Sequence, residues 1–240
     1  MYLPQHFQET RPAVLQALLR AHPLGLLVTQ DADGLTVADA LPFLWQPGAN
    51  SGSPGSLVGH VARANPLWQS ASVGRPVLVV FQGPSAYVSP SGYPSKAEHG
   101  KVVPTWNYAM VQARGTLRVI DVPAAALALV SRLTRQHEAA LPKPWAVGDA
   151  PEDYIAAMLR AIVAIEIPLT SLVGKYKLSQ NRSAADRQGV VANLQAGSAE
   201  AQDMAAWMQQ PPGDTLSAPP GSVAAAPPWG LSKVAKQHLL

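Results

Sequence analysis

Cysteine is absent from this chain of 240 residues. Disulfides, thiolate-bound metal ions and cysteine nucleophiles are therefore excluded. Six histidines are present, but none belongs to an HExxH motif or to another spacing typical of metal ligands. The sequence consequently does not predict a structural metal site.

Several longer motifs are missing as well. The sequence has no basic leader followed by an apolar stretch and no apolar run of membrane-spanning length. We therefore expect a cytoplasmic protein that does not enter a membrane. The GxSxG elbow, the P-loop and the GxGxxG fingerprint are also absent, which gives no support to serine-hydrolase chemistry or to dinucleotide binding of the Rossmann type.

Charge is sparse and only slightly unbalanced. Charged side chains make up 14% of the chain, the net charge is +3 and the isoelectric point is about 9.3. Such weak basicity is compatible with a nucleic acid or a phosphorylated cofactor as ligand. It is also typical of an ordinary solvated surface, which is the simplest interpretation of the charge alone.

What the sequence does contain is a succession of short apolar segments separated by turns. No strict alternation of strand and helix is seen, which argues against a doubly wound sheet. We therefore predict a mostly β protein with peripheral helices, of the α+β class, built on a small antiparallel barrel. The predicted strands cover 24–30, 35–45, 57–61, 76–82, 86–89, 105–120, 161–167 and 172–178, and the predicted helices cover 11–21, 123–139, 184–195 and 199–209.

Cap signals and composition mark the boundaries of these elements. Thr10 and Asp121 are predicted to cap the first two helices, and Asp149 with Glu152 forms a capping-box pattern that opens a further helix. From residue 211 the chain is rich in Pro, Ala and Gly, a composition typical of disorder. The sequence thus predicts a domain over 1–210 and a disordered tail over 211–240.

The most informative segment, residues 87–108, reads YVSPSGYPSKAEHGKVVPTWNY. It combines lysines, phenols, an indole, an amide and several hydroxyls. A protein core does not need that combination, whereas a flat aromatic ligand that carries a phosphate does. Cations and hydroxyls suit the anion, and rings and an amide suit the heterocycle.

This segment resembles the signature of the PaiB family of FMN-binding negative transcriptional regulators, YxSPSWYPSK…GKVVPTWNY. Other segments resemble the family in the same order, namely MYLPQHF at 1–7, LVGHVARANPLW at 57–68, RQHEAALPKPW at 135–145 and GKYKLSQNRSAADRQGV at 174–190. The likeness covers about residues 1–208. Gly92 and Gln112 depart from it, because the family usually has Trp and His at those positions.

The resemblance implies the split barrel of FMN-binding oxidases and reductases, with FMN bound at the interface of a homodimer. It also implies a transcriptional regulator. Two alternatives stay open: an FMN-dependent oxidoreductase acting on a small substrate, and a haem-binding relative with His60, His99 or His137 as axial ligand. No segment shows the spacing and basic face of a helix-turn-helix, so the residues themselves do not separate regulator from enzyme.

Two places in the sequence are predicted to bind the FMN phosphate. His60 and Arg63 follow a strand and approach a helix start at Asn65, where free N–H groups favour an anion. The alternative is that Asn65 is only a cap and Arg63 only a surface residue. Lys101 leads directly into a strand and so has a fixed position, whereas Lys96 fits a solvated loop equally well.

The signature supplies further candidate contacts to the cofactor. Ser89 offers a hydroxyl, and residues 105–108 alternate between the two faces of a predicted strand. Thr105 and Asn107 share one face, which we expect to contact the ligand. Trp106 and Tyr108 share the other face, and a partner subunit is expected to cover them, although Trp106 is also a candidate for contact with the flavin edge.

A second basic segment, KYKLSQNRSAADR, covers residues 175–187. A helix cap and a solvated charge run explain much of it. The cluster Gln180, Asn181 and Arg182 is nevertheless predicted to reach the cofactor across a dimer interface. If the protein binds DNA, the densest run of phosphate contacts is predicted to consist of Lys175, Lys177 and Arg187.

Overall fold

The computed structural model describes residues 1–48, 50, 52–70 and 72–214. Its strands are β1 (Gln8–Glu9), β2 (Leu24–Gln30), β3 (Thr36–Pro42), β4 (Leu44–Gln46), β5 (Ser56–Ala62), β6 (Pro76–Val88), β7 (Thr105–Thr116), β8 (Arg118–Ile120) and β9 (Ile162–Lys177). Its α-helices are α1 (Pro12–Ala21), α2 (Ser95–His99), α3 (Pro123–Glu138), α4 (Glu152–Arg160), α5 (Ala184–Gln195) and α6 (Ala199–Gln209). None of these helices is both long and apolar enough to cross a membrane.

The strands form an antiparallel sheet in the order β3-β2-β6-β7-β9-β5-β4. The long strand β9 pairs with β7 through its second half and with β5 through its first half, so it belongs to two sheets at once. Within the described residues no ladder joins the end strands β3 and β4, and the barrel is therefore split rather than closed. The predicted fold class, a mostly β split barrel with peripheral helices, is confirmed.

The core follows from the alternation of side chains along the central strands. On β7 the odd-numbered residues from Asn107 to Ala113 are fully buried, as are Val79 and Phe81 on β6. Helices α1 and α6 belong to the same core through Leu18 and Met208, among others. Because helices cover only this inner side, the opposite face of β2, β6, β7 and β9 is left more exposed.

The predicted helix caps at Thr10, Asp121 and Asp149 are wrong. Pro12 occupies the first position of α1, which places Thr10 one residue too early for the cap. Helix α3 begins at Pro123 after Val122. Asp149 accepts a hydrogen bond from the Ala146 N–H (2.8 Å) and closes a 3-10 turn that precedes α4. Asp121 and Asp149 therefore bind groups other than the helix starts to which the sequence pattern assigns them, namely Arg63 and the Ala146 N–H.

Several predicted strands are parts of longer ones. The predicted strands 76–82 and 86–89 merge into the single strand β6, which ends before Ser89 and is interrupted only by a bulge between Gln82 and Ser85. The segments 161–167 and 172–178 likewise merge into β9. Helices α5 and α6 have the predicted bounds, and Ser183 and Ser198 cap them through their hydroxyls.

The predicted tail begins later than residue 211. Asp214 forms an ion pair with Arg11, and Gly213 packs closely against Ala13 at the start of α1. These contacts hold residues 211–214 against the domain. Residues 215–240 lie outside the described residues, and the disorder expected for them stays a prediction.

Candidate functional site

The residues that the sequence suggests for cofactor binding do not form one cluster. They fall into an exposed face of the large sheet, a group around Arg63 at the end of β5, and the segments that flank α2 and α5. The three places differ in how far the charges of their side chains are already neutralised by neighbours.

The orientation of β7 is the reverse of the expected one. Asn107 is fully buried, donates a hydrogen bond to the Ser179 hydroxyl (2.9 Å) and contacts the Met208 sulfur (3.3 Å). Trp106, on the other face, is 56% exposed. Asn107 is therefore turned away from any ligand in the single chain, contrary to the expectation for it. The alternation itself is confirmed, and the exposed Trp106 keeps both of its predicted roles, cover by a partner subunit and contact with the flavin edge.

The outer face is the side of β2, β6, β7 and β9 that points away from the core. Strand pairing aligns its residues in rows, for example Leu26, Val80, Gln112 and Val173. Leu24 and Leu26 are 63% and 42% exposed. The outer face consists of Leu24, Leu26, Val28, Leu78, Val80, Gln82, Ser85, Tyr87, Trp106, Tyr108, Met110, Gln112, Arg114, Val173, Lys175 and Lys177.

One end of the outer face carries a basic-aromatic cluster, formed by Tyr87, Trp106, Tyr108, Lys175 and Lys177. Tyr87 and Trp106 are paired across the strands, with ring centroids 6.1 Å apart in an edge-to-face arrangement. The Lys175 ammonium lies 5.6 Å from the centre of the Tyr108 ring. Lys177 is paired with Tyr108 across the strands and donates to the hydroxyl of Thr105.

The two lysines of this cluster lack a carboxylate partner. Among the described residues, ion pairs form only at Arg11 and Arg63, and residues 49, 51, 71 and 215–240 contain no aspartate or glutamate. Burial has the largest effect on the pKa of Lys177 and lowers it, Tyr108 acts next and raises it, and the cations Lys175 and Arg182 each lower it by a smaller amount. The cluster is therefore an uncompensated positive charge beside exposed rings, which suits an anionic aromatic ligand.

Arg63 is in the opposite situation. Its guanidinium donates to both carboxylate oxygens of Asp121 (2.6 and 3.0 Å) and to the Arg160 carbonyl (2.8 Å). It also lies 5.3 Å from the centre of the Trp68 ring. The hydrogen bonds from Arg63 lower the pKa of the Asp121 carboxyl. Together with the bond to the Arg160 carbonyl, they connect β5 to the segments before α3 and β9. A phosphate would have to displace Asp121 in order to bind Arg63.

His60 lies on β5 with its Nδ1 atom buried and without a hydrogen-bond partner among the described residues. Burial lowers the pKa of its imidazole and so favours the uncharged ring. Asn65 forms the predicted cap by accepting the Leu67 N–H (2.8 Å), and it donates to Asp39 (3.1 Å). The turn that it caps is a short 3-10 helix rather than an α-helix.

The remaining signature residues are dispersed around α2. Ser89 caps a 3-10 turn by accepting the Ser91 N–H (3.2 Å). Lys96 is exposed and lines a cleft of about 680 Å³ between α2 and α5. Lys101 is exposed, and its backbone N–H donates to His99 Nδ1 (3.0 Å).

The second basic segment is largely structural. The side-chain amide of Gln180 makes two hydrogen bonds to the preceding backbone. It accepts the Leu178 N–H and donates to the Tyr176 carbonyl. Asn181 is exposed, and Arg182 stacks 5.0 Å from the centre of the Tyr93 ring. The guanidinium of Arg187 donates to the Met208 carbonyl at the end of α6. Of the three predicted DNA contacts, Lys175 and Lys177 thus lie on the outer face and Arg187 links two helices.

Gly92, where the family usually has Trp, lies next to α5. Gly92 is buried against α5, where an added Cβ would lie 3.4 Å from atoms of Val190 and Asn193. A distance of 3.4 Å is an ordinary van der Waals contact for a Cβ. Gln112 lies on the outer face between Val80 and Val173, so the second departure falls on the exposed sheet surface itself.

Fold and charge together define a split-barrel protein with an exposed sheet face that carries aromatic rings and two lysines without carboxylate partners. Comparison with known proteins makes the class specific. The model of the family described as "Putative FMN-binding domain" matches residues 1–171. The "Protease synthase and sporulation protein PAI 2" of Bacillus subtilis is 31% identical over 196 residues, which cover 81% of this chain and 89% of that protein.

Two further comparisons agree with this result. An uncharacterized protein of Aspergillus fumigatus is 35% identical over 233 residues, covering 80% of this chain and 89% of that one. A conserved hypothetical protein of Mycobacterium tuberculosis has a crystal structure that superposes with a TM-score of 0.52 at 9% identity, covering 75% of this chain and 92% of that one. This last likeness shows the fold alone. The chain belongs to the PaiB-like family of FMN-binding domains, and FMN is the cofactor of that family.

The residues of the basic-aromatic cluster fit FMN. The ammonium groups of Lys175 and Lys177 and the hydroxyl of Thr105 match a phosphate, and the rings of Trp106 and Tyr108 match a flat heterocycle. The sequence did not select Tyr87 or Tyr108 and assigned both lysines to DNA. The alternation of Lys175 and Lys177 about the buried Tyr176 was the signal that could have placed them on one strand face.

Proposed function

We propose that this protein is a homodimer that binds FMN on the outer face and acts as a PaiB-like negative regulator of transcription. The observation that carries the proposal is the pairing of two uncompensated lysines, Lys175 and Lys177, with exposed rings on one sheet face. Bound FMN supplies a flavin that can be reduced and reoxidised. The chain itself supplies the phosphate contacts and the walls of the ring site.

In this arrangement the flavin ring lies against Trp106 and Tyr108, and the phosphate lies near Lys177. Lys177 is well suited to the phosphate because its charge is already destabilised by burial and by neighbouring cations. An anion would relieve that cost. His60, Arg63 and Lys101, to which the sequence motifs assign the phosphate, would then not touch it.

The proposed dimer interface is the apolar part of the outer face. Leu24 and Leu26 are large apolar side chains on a sheet surface that no described helix covers, and such a patch is typical of an interface. A partner on this face would also cover the flavin. A dimer partner on the outer face would therefore cover both the exposed apolar residues and the basic-aromatic cluster.

The dimer is tested by sedimentation or light scattering at micromolar concentration. Leu26→Glu is expected to give a folded monomer, because a charge at the interface is desolvated on association. Leu127→Glu is the matched control, since Leu127 is similarly exposed (40% against 42%) but lies on α3. A monomeric wild type, or an equal effect of both substitutions, would contradict the proposed interface.

The regulatory role is supported by the Bacillus subtilis relative, whose name refers to protease synthesis and sporulation. Any DNA binding is expected to be electrostatic, because α5 and α6 pack on the barrel core through Val190, Leu194, Met204 and Trp207. The logarithm of the binding constant should then fall linearly with the logarithm of salt concentration, with a slope of about 0.9 per phosphate neutralised.

The test of the regulatory role is a salt titration of DNA binding with and without FMN. Binding that weakens steeply with salt supports the regulator. The absence of binding at low salt, with or without FMN, would refute it, and reduction of bound flavin by nicotinamide cofactors would then favour the oxidoreductase alternative. The absorbance spectrum of the purified protein separates flavin from haem in the same preparation.

A further inference from the structure

A second basic cleft lies at the far end of the outer face, opposite the basic-aromatic cluster. It has a volume of about 820 Å³ and lies where β2, β6, β7 and β9 meet the segment before β6. We refer to it as the arginine cleft. Its polar lining residues are Thr29, Gln30, Thr36, Ser72, Arg75, Arg114, Thr116 and Thr170.

Neither arginine of this cleft is neutralised within the chain. Arg75 and Arg114 are both exposed, and no carboxylate of the described residues pairs with either. The residues outside the described ranges contain no aspartate or glutamate. Two like charges on different elements therefore line one concavity without a counter-ion from a side chain of the chain, and such a concentration of positive charge attracts an external anion.

The hydroxyl groups of the lining differ in position. Thr29 is only 5% exposed, and its Oγ1, buried without a hydrogen-bond partner among the described residues, lies with Leu27 on the core side of β2. Thr36 and Thr116 lie on the side of Val28 and Arg114 and can donate to a ligand in the cleft. By contrast, Ser72 in the same lining is fully used, because its Oγ accepts the Gln30 N–H and donates to the Gln30 carbonyl.

We propose that the arginine cleft binds a phosphorylated small molecule distinct from the FMN of the proposed function. A phosphate monoester carries close to two negative charges and three acceptor oxygens, which match two guanidinium forks and a hydroxyl donor. A carboxylate has two oxygens and is satisfied by a single fork. Val28 and Leu78, on the outer face, form an apolar wall for the organic part of the ligand.

The cleft is too distant to serve the flavin of the same protomer. Arg114 and Tyr108 are on the same strand β7, six positions apart. At roughly 3.3 Å per residue this places the two side chains about 20 Å from each other. The proposal thus concerns a separate ligand, and its test uses FMN-saturated protein so that the flavin site is already filled.

The experiment measures calorimetric binding of phenyl phosphate and of inorganic phosphate to the FMN-saturated full chain. Phenyl phosphate is expected to bind more tightly than inorganic phosphate, because only it can contact the apolar wall. The double variant Arg75→Gln/Arg114→Gln should bind phenyl phosphate at least about tenfold more weakly. Thr116→Val should weaken it less, and Arg118→Gln is the matched control, an exposed strand arginine outside the cleft.

Three results would overturn the proposal. The first is no binding of either probe by the wild type at millimolar concentration. The second is an equal loss in the double variant and in Arg118→Gln, which would indicate a general charge effect. The third is loss of FMN itself in the double variant, which would assign the cleft to the flavin site. Retention of FMN with loss of phenyl phosphate supports a separate site, and this holds whether or not the protein regulates transcription.

Discussion

The basic-aromatic cluster and the group around Arg63 contain the same kinds of residue. Each places a cation beside an aromatic ring, Lys175 by Tyr108 in the first and Arg63 by Trp68 in the second. They differ in what balances the charge. Arg63 is neutralised by Asp121, whereas no carboxylate approaches Lys175 or Lys177 among the described residues.

This difference shows why residue type is a weak guide to a binding site. A cation with an internal counter-ion stabilises the connection between elements, and its ligand affinity is reduced by the pair that has to be broken. A cation without one retains its attraction for an external anion. The following experiments test whether that distinction, rather than the position of the motif, decides where FMN binds.

The largest expected effect is that of Lys177→Ala on FMN affinity. Loss of one charge-assisted contact should cost about 1.5–3 kcal/mol, a weakening of roughly 10- to 150-fold. Fluorescence titration of FMN measures it. Lys143→Ala, which removes an exposed lysine outside the cluster, should leave the affinity unchanged, and equal affinities in both variants would rule out the proposed phosphate contact.

Asn107→Ala separates a core role from a ligand role. Its removal leaves the buried Ser179 hydroxyl without its partner, so the free energy of unfolding should fall by about 1–3 kcal/mol. Urea denaturation measures this, and Asn193→Ala on the exposed side of α5 is the control. FMN affinity of the folded fraction should be retained. Loss of FMN binding at unchanged stability would restore the original prediction that Asn107 contacts the ligand.

Trp106→Ala tests the aromatic half of the cluster. The indole is 56% exposed in the single chain, so the stability of the domain should change little. Loss of the ring contact should weaken FMN binding by about 0.5–1.5 kcal/mol, or roughly two- to twelvefold. Trp145→Ala removes another exposed indole, 44% exposed and outside the outer face. If both substitutions have the same effect on FMN, the outer face is not the ring site.

The smallest expected effect on FMN is that of Arg63→Ala. Its guanidinium is occupied by Asp121 and by the Arg160 carbonyl, so we expect a change in thermal stability and an unchanged FMN affinity. Asp121→Asn should reproduce the stability change. A clear loss of FMN affinity in Arg63→Ala would instead show that the phosphate displaces Asp121, as the motif around Asn65 predicts.

Local patterns were sufficient for many elements of the fold. The bounds of β2, α5 and α6 follow directly from apolar runs and from serine caps, because those signals lie within the element itself. The cap at Asp121 could not be recognised as wrong, since its competing partner Arg63 is far away in the sequence. The merging of residues 162–177 into one strand also depends on two different neighbours, β5 and β7.

By itself the sequence determined the family, the mostly β class and the alternation of residues 105–108. It also contained a partial signal for their orientation, since Asn107 shares its parity with Ala109, Val111 and Ala113. Only the tertiary structure decided which face is covered, because that depends on where α1 and α6 pack. Only the tertiary structure decided which cations keep their charge free, because neutralisation is set by distances between residues remote in the chain, as between Arg63 and Asp121.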